Sequence, residues 1–299
     1  GGPANDREGA ASRESMAGRG GLRARSALTP GASDRAAGAV AAGGNRLRCT
    51  TQPLVVLPQR RLAGLVVTGH LATTGNRATS RRELYALDLP RAELHKFDGA
   101  LVERALALVR RHGTELAGHR LVVEASAAAL AEAAIVEQIT ALARDPFTRD
   151  VDLVLVLDAA EGPRLPSAPP TLPGNLALAV RCDDLGQIDG EGLIAAGIGQ
   201  VTVAHGVLDA HAAMPLEDDP LRRRLAMLVE AGLEVTVEGL GRESDVLDAL
   251  DYPIALATGA LFGAPSAVMA DGACTFFTAR TEPPPRARQP LVQRISPSV

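Results

Sequence analysis

Acidic side chains fall at the ends of several apolar segments that have the length of β-strands. They are Glu124, Asp158 with Glu161, Asp183 with Asp184, and Glu238. Carboxylates gathered on one edge of a sheet repel one another unless a cation or protons lie between them, and hard divalent ions take such oxygen ligands. Each acid alone could instead cap the helix that follows it, because Asp is among the best N-cap residues. The four strand ends together favour a shared site.

The clearest pattern of helices and strands lies in residues 221–265. Leu221, Leu225 and Leu228 recur at helical spacing, and Gly232 follows where a left-handed C-terminal cap belongs. A short alternating strand then ends on Glu238. A second helix and a last strand follow, so this stretch predicts helix, strand, helix and strand.

Upstream segments repeat this alternation. Two apolar runs flanking Pro58 predict a hairpin, residues 91–111 predict a long helix that ends before Gly113, and Ser126 is expected to cap another helix. Further strands are predicted at 119–125, 151–157, 176–180 and 200–203. The prolines of GPRLPSAPPTLPG forbid a helix between Glu161 and Asn175. Alternating strands and helices favour an α/β fold, as one barrel or one doubly wound sheet.

Composition limits the class of function. The 299 residues carry a formal net charge of −4, which argues against the basic surface that DNA or RNA binding requires. No apolar run approaches the about 20 residues of a membrane span, and the N-terminus lacks the apolar centre of a signal peptide. The three cysteines have no metal-ligand spacing. We therefore expect a cytoplasmic protein with no nucleic-acid or membrane partner.

The two ends of the chain differ in composition from its centre. Residues 1–47 are rich in Gly, Ala and Arg and show no periodicity, and residues 279–299 are rich in Pro and Arg. Such segments are typical of disorder, so the sequence predicts one folded domain at 48–278 between two tails.

Five segments, in order, resemble motifs of the EAL-domain family, the cyclic di-GMP phosphodiesterases. QPLVVLPQRRLAGL resembles the opening hairpin QPIVDLxTGxIVG, LDAAEG resembles the E-x-T-E strand end, and CDDLG resembles DDFGTG. VTVEGLGRE is similar to VAEGVETEE, and TGALFGAP is similar to QGYLFGKP. The resemblance covers residues from about Thr51 to Pro265. It implies a TIM-like (β/α) barrel with one antiparallel strand, in which one helix would be missing here.

The chemistry implied by the resemblance is metal-assisted attack of water on a phosphodiester, with carboxylates holding Mg²⁺ or Mn²⁺. The family's acids correspond here to Asp158, Glu161, Asp183, Asp184 and Glu238, and its asparagine to Glu124. These residues, with Thr258 at the position of a glutamine, are the candidate ligand-binding set. The candidate metal ligands are Asp158, Asp183 and Glu238, although no metal would be required.

Several family positions carry unsuitable residues. The glutamate of the signature motif falls on Val66, the second glutamate of EGVE on Gly241, and the aspartate of the K-I-D strand on Ala204. The lysine of that strand, thought to orient the water, falls on Thr202. The one lysine of the chain, Lys96, lies in the predicted first long helix, so no realignment restores this role. Positioned proton-transfer groups are typically worth about 10²- to 10⁴-fold in rate, so we expect a degenerate, inactive member.

Three functions remain open from the sequence. The chain could be a receptor that still binds cyclic di-GMP, or a ligand-free scaffold that contacts a partner protein, for which the Arg222, Arg223 and Arg224 ridge is one candidate surface. Residual metal-dependent phosphodiesterase activity is the alternative. The sequence also leaves a homodimer open.

Overall fold

The fold was determined as a computed structural model that describes residues 47–72, 78–85, 87, 89–126, 133–158, 175–182, 184–187, 189–211 and 214–277. Its strands are β1 (Leu47–Val56), β2 (Arg61–Ala72), β3 (Ala78–Ser80), β4 (Arg120–Glu124), β5 (Asp152–Asp158), β6 (Leu176–Arg181), β7 (Ile198–Ala204), β8 (Glu234–Glu238), β9 (Leu256–Thr258) and β10 (Ser266–Val268). Its helices are α1 (Arg81–Tyr85), α2 (Arg91–Leu116), α3 (Ala133–Arg144), α4 (Gly190–Ala195), α5 (His205–Asp209), α6 (Pro220–Glu230) and α7 (Glu243–Leu250).

Eight of the described strands close into a barrel. The order β1-β9-β8-β7-β6-β5-β4-β2 is completed by pairing between β1 and β2, while β3 and β10 extend the sheet outside the barrel. Strand β1 runs antiparallel to both of its barrel neighbours, and the other barrel pairs are parallel. The predicted TIM-like barrel with one antiparallel strand is therefore confirmed.

Two apolar layers hold the barrel together. Because alternate side chains of a strand point to opposite faces, one set packs outward against the helices and the other fills the interior. The interior set is small and aliphatic: Leu54, Val66, Val122, Val154, Val156, Ala179 and Leu256. The outer layer is the larger core, and Phe276 and Phe277 pack against it. A chain with few aromatics thus fills its core with branched aliphatic side chains.

The first long helix is broken close to the residue where it was predicted to end, and a second helical segment follows. Helix α2 continues through Gly113 to Leu116, with non-helical backbone angles at His112 (φ −122°, ψ 24°). Gly113 is not a cap, because a Cβ at this position would lie 2.5 Å from the Phe147 carbonyl oxygen. The glycine therefore permits a close backbone approach. The break at His112 agrees with the prediction that the first long helix ends before Gly113, and a second helical segment continues the chain to Leu116.

The structure can also be compared with the predicted hairpin, the predicted helix cap at Gly232 and the helix expected after Ser126. The hairpin at Pro58 is present as β1 and β2, and Gly232 has the positive φ (100°) predicted for the cap after α6. The helix expected after Ser126 is described only from Ala133 onward. Both predicted tails, except Leu47 in β1, and the stretch 159–174, where a helix was expected to be missing, lie outside the described residues.

A buried cluster of polar side chains anchors α6. Asp219 is the N-cap of α6 and its carboxylate accepts hydrogen bonds from the Leu221 N–H (2.8 Å) and the Tyr252 hydroxyl (2.8 Å), and also contacts His211 Nδ1 (2.9 Å). Burial alone would raise the pKa of Asp219, but these partners hold it below its ordinary value. This cluster fixes the start of a helix.

No helix within the described ranges is both long and apolar enough to cross a membrane.

Candidate ligand site at the barrel mouth

The last residues of six parallel strands form one rim of the barrel, which we call the mouth. They are Glu124, Asp158, Arg181, Ala204, Glu238 and Thr258. Carboxyl ends of parallel strands are where α/β barrels place their functional residues. The structure therefore brings Glu124, Asp158, Glu238 and Thr258 to one rim, and adds an arginine that was not among the candidate site residues.

Arg181 binds two of the candidate carboxylates at once. Its Nη2 atom contacts Glu124 Oε1 and Glu238 Oε2 at hydrogen-bonding distance. Arg181 and Glu124 side chains are each 11% exposed and that of Glu238 is 23% exposed, so all three are largely shielded from water. We call this group the mouth triad. It connects β4, β6 and β8, three alternate strands of the barrel.

The charges of the mouth triad stabilise one another. Burial by itself would lower the pKa of Arg181, but the attraction of Glu124 and Glu238 and their hydrogen bonds raise it above its ordinary value. Since arginine is already charged at all ordinary pH values, the guanidinium is a positive charge between the two carboxylates whatever the pH. It supplies the cation that crowded rim acids were expected to need.

Other predicted ligand residues are engaged in structural hydrogen bonds. The Thr258 hydroxyl donates to the Pro53 carbonyl (2.9 Å) across the β1–β9 pair. Asp184 is exposed, and its Oδ1 accepts a hydrogen bond from the Gly186 N–H (3.1 Å). The observed contact of Asp184 is therefore a local turn contact, close to the capping role that was the alternative to a shared site. Glu161 and Asp183 lie outside the described residues.

The residues that the resemblance aligned with acids and a lysine of the family have the following surroundings. Val66 lies in the aliphatic interior, and Thr202 on β7 is 5% exposed. The Gly241 N–H donates to Asp245 Oδ2 (2.8 Å), within the turn that precedes α7. Lys96 lies on α2 with its side chain 66% exposed, and its Nζ bonds to Glu93 Oε1 (2.9 Å). Val66 thus presents a hydrocarbon and Thr202 a hydroxyl at these positions.

The loops after β8 and β9 shape one side of the mouth. Gly239 and Leu240 donate backbone hydrogen bonds to the Thr258 carbonyl (2.9 and 3.2 Å), and Leu261 donates to the Leu240 carbonyl (3.1 Å). A Cβ on Gly259 would lie 2.1 Å from the Leu240 carbonyl oxygen. Only glycine permits this approach, so the EGLG and TGALFG segments are bound directly to each other.

The residues of the mouth do not fit a divalent metal ion. Among the described residues, no three His, Cys, Asp or Glu side chains are grouped so that they could hold one. More directly, Glu124 and Glu238 have their inner oxygens on a guanidinium rather than open for coordination. Mg²⁺ demands near-ideal octahedral oxygen geometry, which these two carboxylates cannot provide while Arg181 lies between them.

The opposite end of the barrel, which we call the floor, holds a second arginine–glutamate pair. Arg120, the first residue of β4, binds Glu234, the first residue of β8, and both line a cavity of about 330 Å³ with Asp152 and Gln200. Another cavity of about 600 Å³ lies beside α2, against His112, Phe276 and Phe277. Both cavities lie away from the mouth residues.

Arg181 directly follows the strand predicted at 176–180, and it was not among the predicted site residues. The search for oxygen ligands favoured acids, and nothing local marks an arginine as the partner of carboxylates 57 residues away in both directions. The available signal was the excess of acids at strand ends, which predicted a cation without identifying it.

Comparisons with known proteins support the fold. No family model and no curated protein matches the sequence. Solved structures of EAL domains match throughout the barrel. One is an EAL-domain protein of Listeria monocytogenes, 14% identical, with a TM-score of 0.55 over 80% of this chain and 95% of that chain.

Two further matches contain a ligand. The FimX EAL domain of Pseudomonas aeruginosa, bound to cyclic di-GMP, is 16% identical with a TM-score of 0.54 over 76% of this chain and 93% of that chain. The YkuI protein of Bacillus subtilis, with cyclic di-GMP and calcium, is 11% identical with a TM-score of 0.54 over 75% of this chain and 57% of that chain. At such identities the similarity establishes the fold. The chain is an α/β barrel of the EAL type, as the five motifs predicted.

Proposed function

We propose that this chain is a regulatory EAL-type barrel of cyclic di-GMP signalling that does not hydrolyse the nucleotide. In this proposal the protein acts in the cytoplasm by contacting a partner protein, through the domain at 48–278. The observation that carries it is Arg181, whose guanidinium joins Glu124 to Glu238 at the mouth. Two carboxylates that a hydrolytic site would offer to metal ions serve instead as partners of an internal cation.

The residues near the end of β7 support the same proposal. Thr202 and Ala204 present a hydroxyl and a methyl group at the end of β7, and Lys96 is bonded to Glu93 on an outer helix. A threonine hydroxyl does not titrate near neutral pH, so it cannot take a proton from an attacking water as a general base. These residues and the contacts of Glu124 and Glu238 with Arg181 both support a barrel that does not hydrolyse the nucleotide.

The charge of the mouth favours an interaction module over a nucleotide receptor. Glu124, Asp158 and Glu238 contribute three carboxylates against the one guanidinium of Arg181, so these four residues are net negative. A cyclic dinucleotide carries two phosphates, which such a rim repels in the absence of a further cation.

A receptor remains the second candidate because solved structures with this fold contain cyclic di-GMP. In that reading Glu124, Asp158, Asp184, Glu238 and Thr258, together with Glu161 and Asp183, would contact the nucleotide. Binding of cyclic di-GMP without turnover distinguishes the two candidates. A receptor should bind the nucleotide, and an interaction module should not.

The three arginines of the candidate ridge each make a hydrogen bond within the chain. Arg222 Nε donates to the Asp251 carbonyl (3.0 Å), Arg223 Nη2 to the Asp218 carbonyl (3.3 Å), and Arg224 Nε to the Leu185 carbonyl (3.0 Å). Each guanidinium thus ties a loop to α6. These intrachain hydrogen bonds give the three arginines a structural role that needs no partner protein. Arg222 and Arg223 nevertheless remain exposed.

The test combines product analysis with calorimetry on the full chain. Incubation with cyclic di-GMP and Mn²⁺ or Mg²⁺ should release no linear dinucleotide above a protein-free control. Release that disappears in Glu238→Ala would overturn the non-hydrolytic assignment. Titration with cyclic di-GMP should show no binding for an interaction module, whereas micromolar binding weakened by Glu238→Ala would replace the module by the receptor.

A further inference from the structure

The cavity of about 600 Å³ beside α2 lies at the floor end of the barrel, and we call it the α2 cavity. Much of its wall is apolar: Leu62 and Leu65 come from β2, Leu116 is the last residue of α2, and Phe276 and Phe277 end the described chain. Small-molecule sites in proteins have volumes of about 300–1,000 Å³ and apolar walls with a few polar groups. The α2 cavity has the size and the lining of such a site.

The α2 cavity gathers aromatic rings in a chain that has few of them. The sequence contains five phenylalanines, two tyrosines and no tryptophan, and Phe276 and Phe277 both line this cavity. Their rings meet edge to face with centroids 5.3 Å apart, and His112 stacks on Phe277 at 4.2 Å with 15° between the planes. Aromatic rings pack favourably against one another in offset or edge-to-face arrangements. This wall therefore favours an aromatic ligand over an alkyl chain.

The charge at the edge of the α2 cavity favours an anion. Arg61, the first residue of β2, is exposed, and its guanidinium has no hydrogen bond or ion pair within the described part of the chain. Glu115 is the one acid among the described lining residues, and its Oε1 atom contacts His112 Nδ1 (3.4 Å). A guanidinium binds a carboxylate through two parallel hydrogen bonds. An uncommitted positive charge thus lies beside an apolar space.

We infer that the α2 cavity is a binding site for a small aromatic carboxylate, with the carboxylate on Arg61 and the ring against Phe276. The site is separate from the mouth, because Arg61 begins its strand whereas the mouth residues end theirs. The inference goes beyond the proposed function and does not depend on it. The two are tested with different ligands, so the failure of one leaves the other standing.

Calorimetric titration of the full chain with naphthoate tests the site. Naphthamide is the uncharged probe of nearly the same shape, and octanoate is the acid without a ring. Naphthoate should bind roughly five- to tenfold more tightly than either. Naphthamide loses the charged contact with Arg61, and octanoate loses the contact between rings.

The first variant is Arg61→Gln, which removes the charge at the edge of the cavity. It should weaken naphthoate binding roughly five- to tenfold, so that naphthoate and naphthamide bind alike. The matched control is Arg60→Gln. Arg60 precedes Arg61 in the chain but is paired with Glu243 and does not line the cavity. This control should bind naphthoate as tightly as wild type. Both arginines are exposed, so both variants should fold, and circular dichroism checks this.

The second variant is Phe276→Leu, which keeps an apolar side chain and removes the ring. It should weaken naphthoate binding and leave octanoate binding unchanged, because only the aromatic ligand uses the ring. Equal weakening of both probes would mean that Phe276 merely supports the shape of the cavity, which contradicts the aromatic preference.

Three results would overturn the inference. The first is a wild-type chain that does not bind naphthoate, and the second is naphthamide binding as tightly as naphthoate; neither measurement needs a variant. The third is the same affinity for naphthoate in Arg61→Gln and Arg60→Gln, which would attribute any effect to general surface charge instead of the cavity.

Discussion

The two ends of the barrel use the same pair of residue types in different surroundings. At the mouth, Arg181 contacts two glutamates and the three side chains are 11–23% exposed. At the floor, Arg120 contacts one glutamate, and the two side chains are 34% and 32% exposed. Strand β8 supplies an acid to each end, Glu234 to the floor and Glu238 to the mouth.

The difference shows that burial and the number of partners, rather than residue type, decide how much an ion pair matters. A partly exposed pair gains little, since water already solvates both charges and salt screens them. In a buried group each charge has lost its water, so it depends on its partners. We therefore expect the mouth to be sensitive to substitution and the floor to be tolerant.

The largest expected effect is that of Arg181→Ala on stability. Removal of the guanidinium leaves Glu124 and Glu238 largely buried and facing each other without a cation. The free energy of unfolding should fall by about 3–5 kcal/mol. Denaturant unfolding followed by circular dichroism measures this, and addition of Glu124→Gln to the same variant should recover part of the loss. A loss below about 1 kcal/mol would mean that the two ends are equivalent.

Arg181→Lys should lower the free energy of unfolding by less than Arg181→Ala. This substitution keeps the positive charge and removes the planar shape of the guanidinium. Lysine keeps the positive charge but has a shorter reach and no planar fork, so it should hold one glutamate and not both. The loss should be about 1.5–3 kcal/mol, the cost of one hydrogen bond to a charged group. Stability equal to wild type would show that only the charge matters at the mouth.

At the floor, Arg120→Ala should lower the free energy of unfolding by at most about 1 kcal/mol, because the pair it breaks is about one-third exposed. A double-mutant cycle with Glu234→Gln isolates the interaction between the two side chains. A coupling energy as large as that between Arg181 and Glu238 would contradict the contrast between the two ends.

The smallest effect is that of salt on these coupling energies. Raising ionic strength shortens the screening length from about 10 Å at 0.1 M to about 3 Å at 1 M. The floor coupling should therefore decrease with added NaCl, while the coupling of Arg181 with Glu238 should change little. The same unfolding cycles, repeated at the two salt concentrations, provide the measurement.

Much of the fold could be predicted because its signals are local. The apolar run of β5, the leucine spacing of α6 and the positive φ of Gly232 each follow from residues close together in the chain. The helical segment that continues α2 beyond its break at His112 could not be predicted in this way. Gly113 resembles a helix stop in the sequence, and only its contact with the Phe147 backbone, a tertiary feature, shows why a glycine is there.

The candidate site, too, has one part that could be predicted from local sequence and one part that depends on tertiary contacts. Strand-end acids were predicted to share a rim, and Glu124, Asp158 and Glu238 do so because parallel strands end together. The partner of two of them could not be predicted, because the contacts of Arg181 depend on the closure of the barrel and on how far each strand is shifted against the next. The sequence therefore indicated that a positive charge was needed there, and the structure identifies it.

The spacing of Glu234 and Glu238 on β8 also bears on how the barrel can assemble. The two acids lie four residues apart on the inward face, with Thr236 between them. A slip of β8 by two residues would keep the inward face but carry one carboxylate into the aliphatic interior and pull the other from its arginine. The two acids therefore help to fix the register of β8 against its neighbours. They disfavour barrels in which the strands are shifted differently.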